Sequence, residues 1–366
     1  MSRRSIFSGF VFALIFLVST VFVFASGAKE KSPAASTQAM ASAQTAQYMV
    51  PQKSGPYVIG LSNSFSGNSW RAEMVAAFKY AAGEMKSKGT LKNFIVSDAT
   101  GSTANQIQQI QNLIAEGVNA ILIDANSATA LNPVIAQAHK AGILVVAFDN
   151  TVTSPYAINV TVNQKDWGKI TADWLVKQLN GKGNIIVLNG QAGSPVSNDR
   201  WAGAKAVFDA NPNIKILSNV NANWDQGTAQ QAVANLLPSF SDINGIWSQG
   251  GAMTLGAIYA FQAAGRPLVP MTGEANNGLL KFWQKNESKG FTTIAPASPT
   301  GLSVQALDLA VKALQGQHVA QNNEPAPPVI TSKTLGKYVQ MNMPDSLWLP
   351  TDLPNSVLKT LFGNAK

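Results

Sequence analysis

The sequence predicts an α/β chain made of two doubly wound, parallel-sheet (Rossmann-like) domains, and three observations lead there. The 366 residues suit two domains at about 150 residues each. Short apolar runs alternate with amphipathic stretches, the pattern of βαβ units whose parallel strands are covered on both faces. The two halves also echo one another. Displaced by 125 residues, Val118-Asn119-Ala120-Ile121 falls on Ile243-Asn244-Gly245-Ile246, Thr129 on Thr254, and Gln137-Ala138 on Gln262-Ala263.

Taken in order, the chain opens with Arg3 and Arg4 ahead of an apolar stretch over residues 6–25 that ends Val23-Phe24-Ala25. A charged start, an apolar core and small residues at the −3 and −1 positions read as a signal peptide, residues 1–25, cleaved between Ala25 and Ser26. The same stretch is long enough to remain as an uncleaved anchor. Ser8, Gly9, Ser19 and Thr20 interrupt it, and the cleavage pattern favours removal. Without a cysteine, lipid attachment at that point is excluded. Residues 26–56, rich in Ala, Ser, Gln and Lys and without apolar periodicity, read as a flexible tether.

From Tyr57 the alternation is regular. Strands are expected at 57–61, 94–97, 120–124 and 143–148, separated by helices at 70–86, 103–116 and 129–141, each with apolar residues at i, i+3, i+4 spacing. Further strands are expected at 184–188, 214–218, 245–248, 268–272 and 292–295, with helices at 165–179, 197–210, 225–236, 253–264 and 278–285. Gly117, Gly142, Gly265 and Gly290 fall just past helix ends, where a left-handed cap is wanted.

Composition narrows the chemistry. With 46% hydrophobic and 13% charged residues, the chain can bury real cores and is not a disordered one. The absence of cysteine excludes disulfide scaffolds, thiolate nucleophiles and Cys-ligated metals. Two histidines, His139 and His318, are too few for a multi-His centre, so neither a metal nor a cofactor is expected. His139 lies in a helical pattern and reads as structural, and His318 as solvated. The net charge of +8 falls to +6 once Arg3 and Arg4 are removed, and no Lys/Arg run occurs. No nucleic-acid footprint is expected.

The same displacement lays Asp149 on Glu274, each closing a matching strand. Open parallel sheets bind ligands beyond those strand ends. Two such domains facing each other would aim both carboxylates into one cleft.

Further marks follow in order: Ile59-Gly60-Leu61-Ser62-Asn63 through Asn68-Ser69-Trp70-Arg71; Ala141-Gly142-Ile143 running to Asp149; Gly190-Gln191-Ala192-Gly193-Ser194 with Asp199-Arg200 and Gly203; and Gly251 to Gly256. In that order and spacing, the chain from Tyr57 onward resembles the periplasmic sugar-binding proteins of ABC importers, the type I periplasmic binding proteins that include ribose- and galactofuranose-binding proteins. The resemblance implies two doubly wound lobes joined by a three-crossover hinge, with crossovers near Thr161, near Ala295 and around Ile330. It places residues 57–161 and 296–330 in an N-terminal lobe, and 162–295 and 331–366 in a C-terminal lobe. It further implies a periplasmic monomer that closes on a sugar and delivers it to a membrane permease. A chemoreceptor is a second possible reader of the closed form.

A free sugar needs groups that hydrogen-bond several hydroxyls and flat apolar faces for its C–H side. By the resemblance, Asp149 is the hydroxyl acceptor, against the ordinary reading of a strand-end turn Asp. Glu274 matches the second acid, usually Asp. Asn68 and Trp70 match the first-loop amide and aromatic, and Trp224 matches the aromatic on the other ring face. Asn150 and Asn198 stand where arginines are common, which makes the pocket less cationic and an anionic ligand unlikely on charge grounds. Arg71, for which the sequence suggests no charged partner, could replace the guanidinium missing at Asn150. Gly250 and Pro296 replace amides, which puts ribose itself in doubt. Asn276 and Asn277 follow Glu274 and read equally as ligand contacts or as a turn and helix cap. Trp174 and Trp201 fit helical periodicity and read as structural. Residues 190–194 lack the Lys of a phosphate loop and read as a turn that allows close packing.

Two other classes compete. Asp149 and Glu274 could be the acid and base of a secreted glycoside hydrolase. A sugar-sensing transcription regulator would carry a helix-turn-helix ahead of Tyr57, where a signal and tether are expected instead. The expectation is a binder and not an enzyme.

Overall fold

The computed structural model describes residues 48–363. The expected signal peptide and its cleavage point, and residues 26–47 of the expected tether, lie outside the described residues. The remainder of that tether is packed. Tyr48 and Val50 are buried in the first core, the Tyr48 hydroxyl donates to the Val319 carbonyl, and the Lys53 amide donates to the Leu314 carbonyl at 3.0 Å. Packing therefore starts ahead of Tyr57, because two apolar side chains too short to show periodicity fill a gap beside the first sheet.

Strands and helices then alternate as β1 (Tyr57–Asn63), α1 (Ser69–Ser87), β2 (Leu91–Asp98), α2 (Thr103–Ala115), β3 (Ala120–Asp124), α3 (Asn132–Lys140), β4 (Leu144–Phe148) and β5 (Ala157–Val160). There follow α4 (Gln164–Gln178), β6 (Gly183–Asn189), α5 (Pro195–Asp209), β7 (Ile214–Asn221), α6 (Gln226–Leu236), β8 (Gly245–Ser248), α7 (Gly251–Ala263) and α8 (Asn277–Asn286). The chain ends with β9 (Ala295–Pro296), α9 (Leu302–Leu314), β10 (Asn322–Asn323), β11 (Val329–Ile330), α10 (Leu335–Tyr338) and α11 (Asn355–Phe362).

The first sheet is parallel, in the order β10-β5-β4-β3-β1-β2, and the second is parallel in the order β7-β6-β8. The second repeats the β2-β1-β3 end of the first, with β6 between its two neighbours as β1 is. The echo in sequence is physical. Asn119 accepts from the Val58 amide at 2.7 Å through its side chain, and Asn244 accepts from the Asn184 amide at 2.6 Å in the same way. Each asparagine locks the start of one strand to the centre of its sheet. The predicted helix-end glycines Gly117, Gly142, Gly265 and Gly290 all have φ between +63° and +89°.

Two expected strands shrink. Residues 268–272 contribute a single bridge, Ile246 to Met271, because Pro267 and Pro270 remove ladder donors. Residues 292–295 yield only the two-residue β9, which pairs antiparallel with β11. Helix α3 starts at Asn132 and not at 129. Pro133 sits in its first turn, where a missing N–H costs nothing.

After β5 the chain leaves the first sheet for the second. It returns after β9 to add α9 and β10, then leaves again. Apolar faces gather beside each sheet. Ile59, Leu61, Leu122, Val146, Leu307 and Leu314 fill the core of the first. Ile186, Leu188, Ile246, Phe261 and Trp283 fill that of the second, with Leu347, Leu349 and Leu358 from the final segment. Helices α4 and α5 cross backbone to backbone. A Cβ at Gly168 would lie 1.9 Å from the Arg200 carbonyl oxygen, and one at Gly203 would lie 2.0 Å from that of Lys165. This crossing places Arg200 beneath the second sheet's strand ends.

Candidate functional site

The C-terminal ends of both sheets' strands converge on one cavity of about 400 Å³. Asn68, Trp70 and Arg71 reach it from the start of α1, Asp149 and Asn150 from the end of β4, and Val196 and Arg200 from α5. Trp224 follows β7, Glu274 follows the Met271 bridge, Ser298 follows β9, and Trp348 comes from the final segment.

Asp149 has a left-handed backbone, φ 54°. This conformation suits Asp better than most side chains, and it turns the carboxylate off the strand. Its Oδ1 accepts from the Ser298 hydroxyl and its Oδ2 from the Asn150 amide, both at 3.0 Å. Each oxygen keeps a further lone pair, so the carboxylate can take two hydroxyl donors. Burial pushes the Asp149 carboxyl above its ordinary range, opposed by the Arg71 and Arg200 charges. Burial also raises Glu274, opposed by Arg200 and reinforced by the charge of Asp149.

Two buried arginines line the cavity, and each is paired with a carboxylate. Arg71 has a charged partner. It pairs with Asp124, the fully buried last residue of β3, and donates to Asn63 at 3.0 Å. Arg200 donates to Gln164 at 2.8 Å, to the Gln249 carbonyl at 2.6 Å and to Glu274 at 2.8 Å. Its guanidinium lies 4.0 Å above the Trp167 ring and 5.4 Å from that of Trp224. Each guanidinium is matched by one carboxylate, and Asp149 is left over. The lining therefore does not favour an anion, for a reason different from the one the sequence suggested.

Three indoles face the cavity. Trp70 is anchored by its Nε1–H to the Ser298 carbonyl at 2.8 Å, and Trp348 by its Nε1–H to the Ser69 hydroxyl at 2.8 Å. Trp224 is held against backbone. A Cβ at Gly190 would lie 2.0 Å from its ring, and one at Gly250 would lie 3.3 Å from it. The close-packing reading of residues 190–194 thus has a specific object.

Seven of the expected residues meet here: Asn68, Trp70, Arg71, Asp149, Asn150, Trp224 and Glu274. Asn68 also caps α1 through the Arg71 amide at 2.9 Å. Three do not line the cavity. Asn198 is exposed, because the helix starts at Pro195 and turns Val196 and Arg200, four apart, to the cavity side. Gly250 caps α7 behind Trp224. Asn276 is the buried N-cap of α8, accepting from the Leu279 amide at 3.3 Å. Sequence reasoning missed Val196, Arg200, Ser298 and Trp348. Arg200 had a signal, since it stood inside a quoted motif four residues after an apolar helix start. Trp348 had none, being far from either strand-end cluster in sequence. Trp201 packs on Trp247 and Phe208 as expected, and His139 stacks on Tyr156.

Comparison with known proteins fits this arrangement. Residues 59–318 match the periplasmic binding protein domain. The chain belongs to the periplasmic binding protein family. Among curated relatives, this family member is 32% identical over 220 residues to the galactofuranose-binding protein YtfQ of Escherichia coli, covering 57% of this chain and 67% of that one. It is 33% identical over 179 residues to the xylitol-binding protein of Mycolicibacterium smegmatis, covering 48% of this chain and about half, 51%, of the relative. Among solved structures, the ABC transporter solute binding protein of Thermobispora bispora superposes with a TM-score of 0.75 at 30% identity, over 83% of this chain and 94% of that one.

Proposed function

We propose that this periplasmic binding protein captures a neutral monosaccharide or related polyol in the cavity, closes around it by a hinge at the three crossovers, and hands it to the permease of an ABC transporter. The observation that carries the reading is the lining itself. Asp149, with two free acceptor positions, stands among three anchored indoles and two arginines already neutralised by Asp124 and Glu274. That set offers hydroxyl acceptors and ring faces without a net attraction for anions. The relatives named for galactofuranose and xylitol point to the same ligand class.

Ligand selects the closed form by touching both lobes, and the transporter reads that form. On this reading the protein works in the periplasm as a carrier and not as an enzyme. Glu274, occupied by Arg200, is poorly placed to serve as a freely exchanging acid or base. Thermal shift of the ligand-free chain against D-ribose, D-allose, D-galactose, xylitol, myo-inositol, sucrose and glucose 6-phosphate tests the proposal. A ligand at a hundred times Kd adds about 2.7 kcal/mol. The expected result is a rise with one or two neutral monosaccharides or polyols and none with the phosphate ester. A rise only with the phosphate ester or the disaccharide would overturn it.

A further inference from the structure

Beyond the cavity, one residue joins parts of the fold that hinge motion would separate. Residues 347–349 are tied by backbone to the second half. The Asn277 amide donates to the Leu347 carbonyl at 2.8 Å, and the Leu349 amide donates to the Ala275 carbonyl at 2.9 Å. Leu347 and Leu349 sit in the core beside the second sheet. Trp348, between them, points the other way and is buried in the core beside the first sheet. There it is held twice by α1. Its backbone amide donates to Glu73 Oε2 at 2.9 Å, and its indole Nε1–H donates to the Ser69 hydroxyl at 2.8 Å. Glu73 is fully buried, and its other oxygen accepts from the Thr300 hydroxyl at 3.0 Å. One carboxylate thus joins α1, the final segment, and the turn that leads back into α9. The face of Trp348 that remains lines the ligand cavity.

We propose that Trp348, gripped by Glu73 and Ser69, is a clasp that holds the two halves of the protein closed even without ligand. The inference rests on the hinge-closing reading above, but the bonds involved are protein to protein. Opening has to break either the two backbone bonds at 275–277, which the Gly278 amide reinforces by donating to the Asp345 carbonyl at 2.9 Å, or the two bonds on Trp348, which end on single side chains. A ligand stacked on the indole resists the same rupture, so occupancy and closure are coupled through one residue. The clasp raises the closed fraction of the free protein. Because apparent affinity scales with the population of the competent state, it sets how much ligand affinity goes into closing the cleft. A bond to a buried carboxylate is stronger than one between neutral groups, so the two grips differ measurably.

The test needs no ligand, so its failure is distinct from failure of the sugar-binding reading. Small-angle scattering gives the radius of gyration of the full ligand-free chain, and hydrogen exchange reports the amides of residues 346–349. In Glu73→Ala the exchange of those amides should rise about ten-fold or more, and the radius of gyration should increase. Glu73→Gln keeps an acceptor for the Trp348 amide and should restore both toward wild type. Ser69→Ala, at a half-buried position, should produce the same two changes more weakly, and it carries the test if Glu73→Ala does not fold. Faster exchange with an unchanged radius of gyration would make the contacts merely structural and overturn the clasp. So would wild-type values of both in Glu73→Ala or Ser69→Ala.

Discussion

Removing Arg200 should cost more than any other single change at the site, and the loss should be partly reversible by a second mutation. In Arg200→Met the side-chain stem is kept, but three donated bonds vanish: to Gln164, to the Gln249 carbonyl and to Glu274. The larger effect is on Glu274, 4% exposed, which is left as a buried charge without its partner. Breaking such a pair from one side costs about 3–5 kcal/mol. Adding Glu274→Gln removes the stranded charge. What then remains is the loss of two bonds, at about 1 kcal/mol each, so the double variant should recover roughly 2 kcal/mol. Urea denaturation followed by far-UV circular dichroism measures both. If the double variant is no more stable than Arg200→Met, the pair is not coupled and this account of the cavity floor is wrong.

Other expectations follow from the same geometry. Trp224→Ala should weaken the selected sugar by about 2 kcal/mol, the loss common for an aromatic anchor, in a calorimetric titration; unchanged affinity would make Trp224 a packing residue only. Gly203→Ala drives a methyl into the Lys165 carbonyl and should lose about 1–3 kcal/mol or more in thermal unfolding, whereas Gly83→Ala, with nothing within 4 Å, should be neutral or slightly stabilising; equal melting of the two would contradict the backbone crossing. Burial pushes Glu73 up to about 7 from an ordinary 4.5, against its bonds to Trp348 and Thr300. Between those values the folded chain holds a proton that the unfolded chain has released, so stability should fall as pH rises through that window, by at most about 3 kcal/mol, and level off above it. Asp149 and Glu274, also raised by burial, act in the same direction, so the measurement is the difference between wild type and Glu73→Gln, whose slope should be flatter; identical slopes would mean that Glu73 ionises near its ordinary value.

The alternation and the halves' echo were legible because buried parallel strands leave continuous apolar runs and because Asn119 and Asn244 do the same job in each sheet. Asp149 and Glu274 stood out for the same reason, as acids at matched strand ends. The helix α9 was also readable. Leu302, Ala306, Leu307, Ala310, Val311 and Leu314 are buried at helical spacing. Short pieces were not readable. Strands of two residues such as β10 carry no period, and Tyr48 and Val50 are too few to form a pattern. Charge pairing was the largest blind spot. Nothing in sequence joins Arg71 to Asp124, 53 residues away, and without that contact the arginine reads as free for ligand. Trp348 was hidden because its environment is made by α1, almost the whole chain earlier.

The central claim is that Asp149 takes the hydroxyls of a neutral sugar. Calorimetric titration of the full chain and of Asp149→Ala, with the sugar selected by thermal shift, tests it most directly. The account predicts one saturable site in the wild type and no measurable heat in the variant, with both proteins unfolding cooperatively. Equal affinity in the two proteins would contradict it and move the ligand away from this cavity.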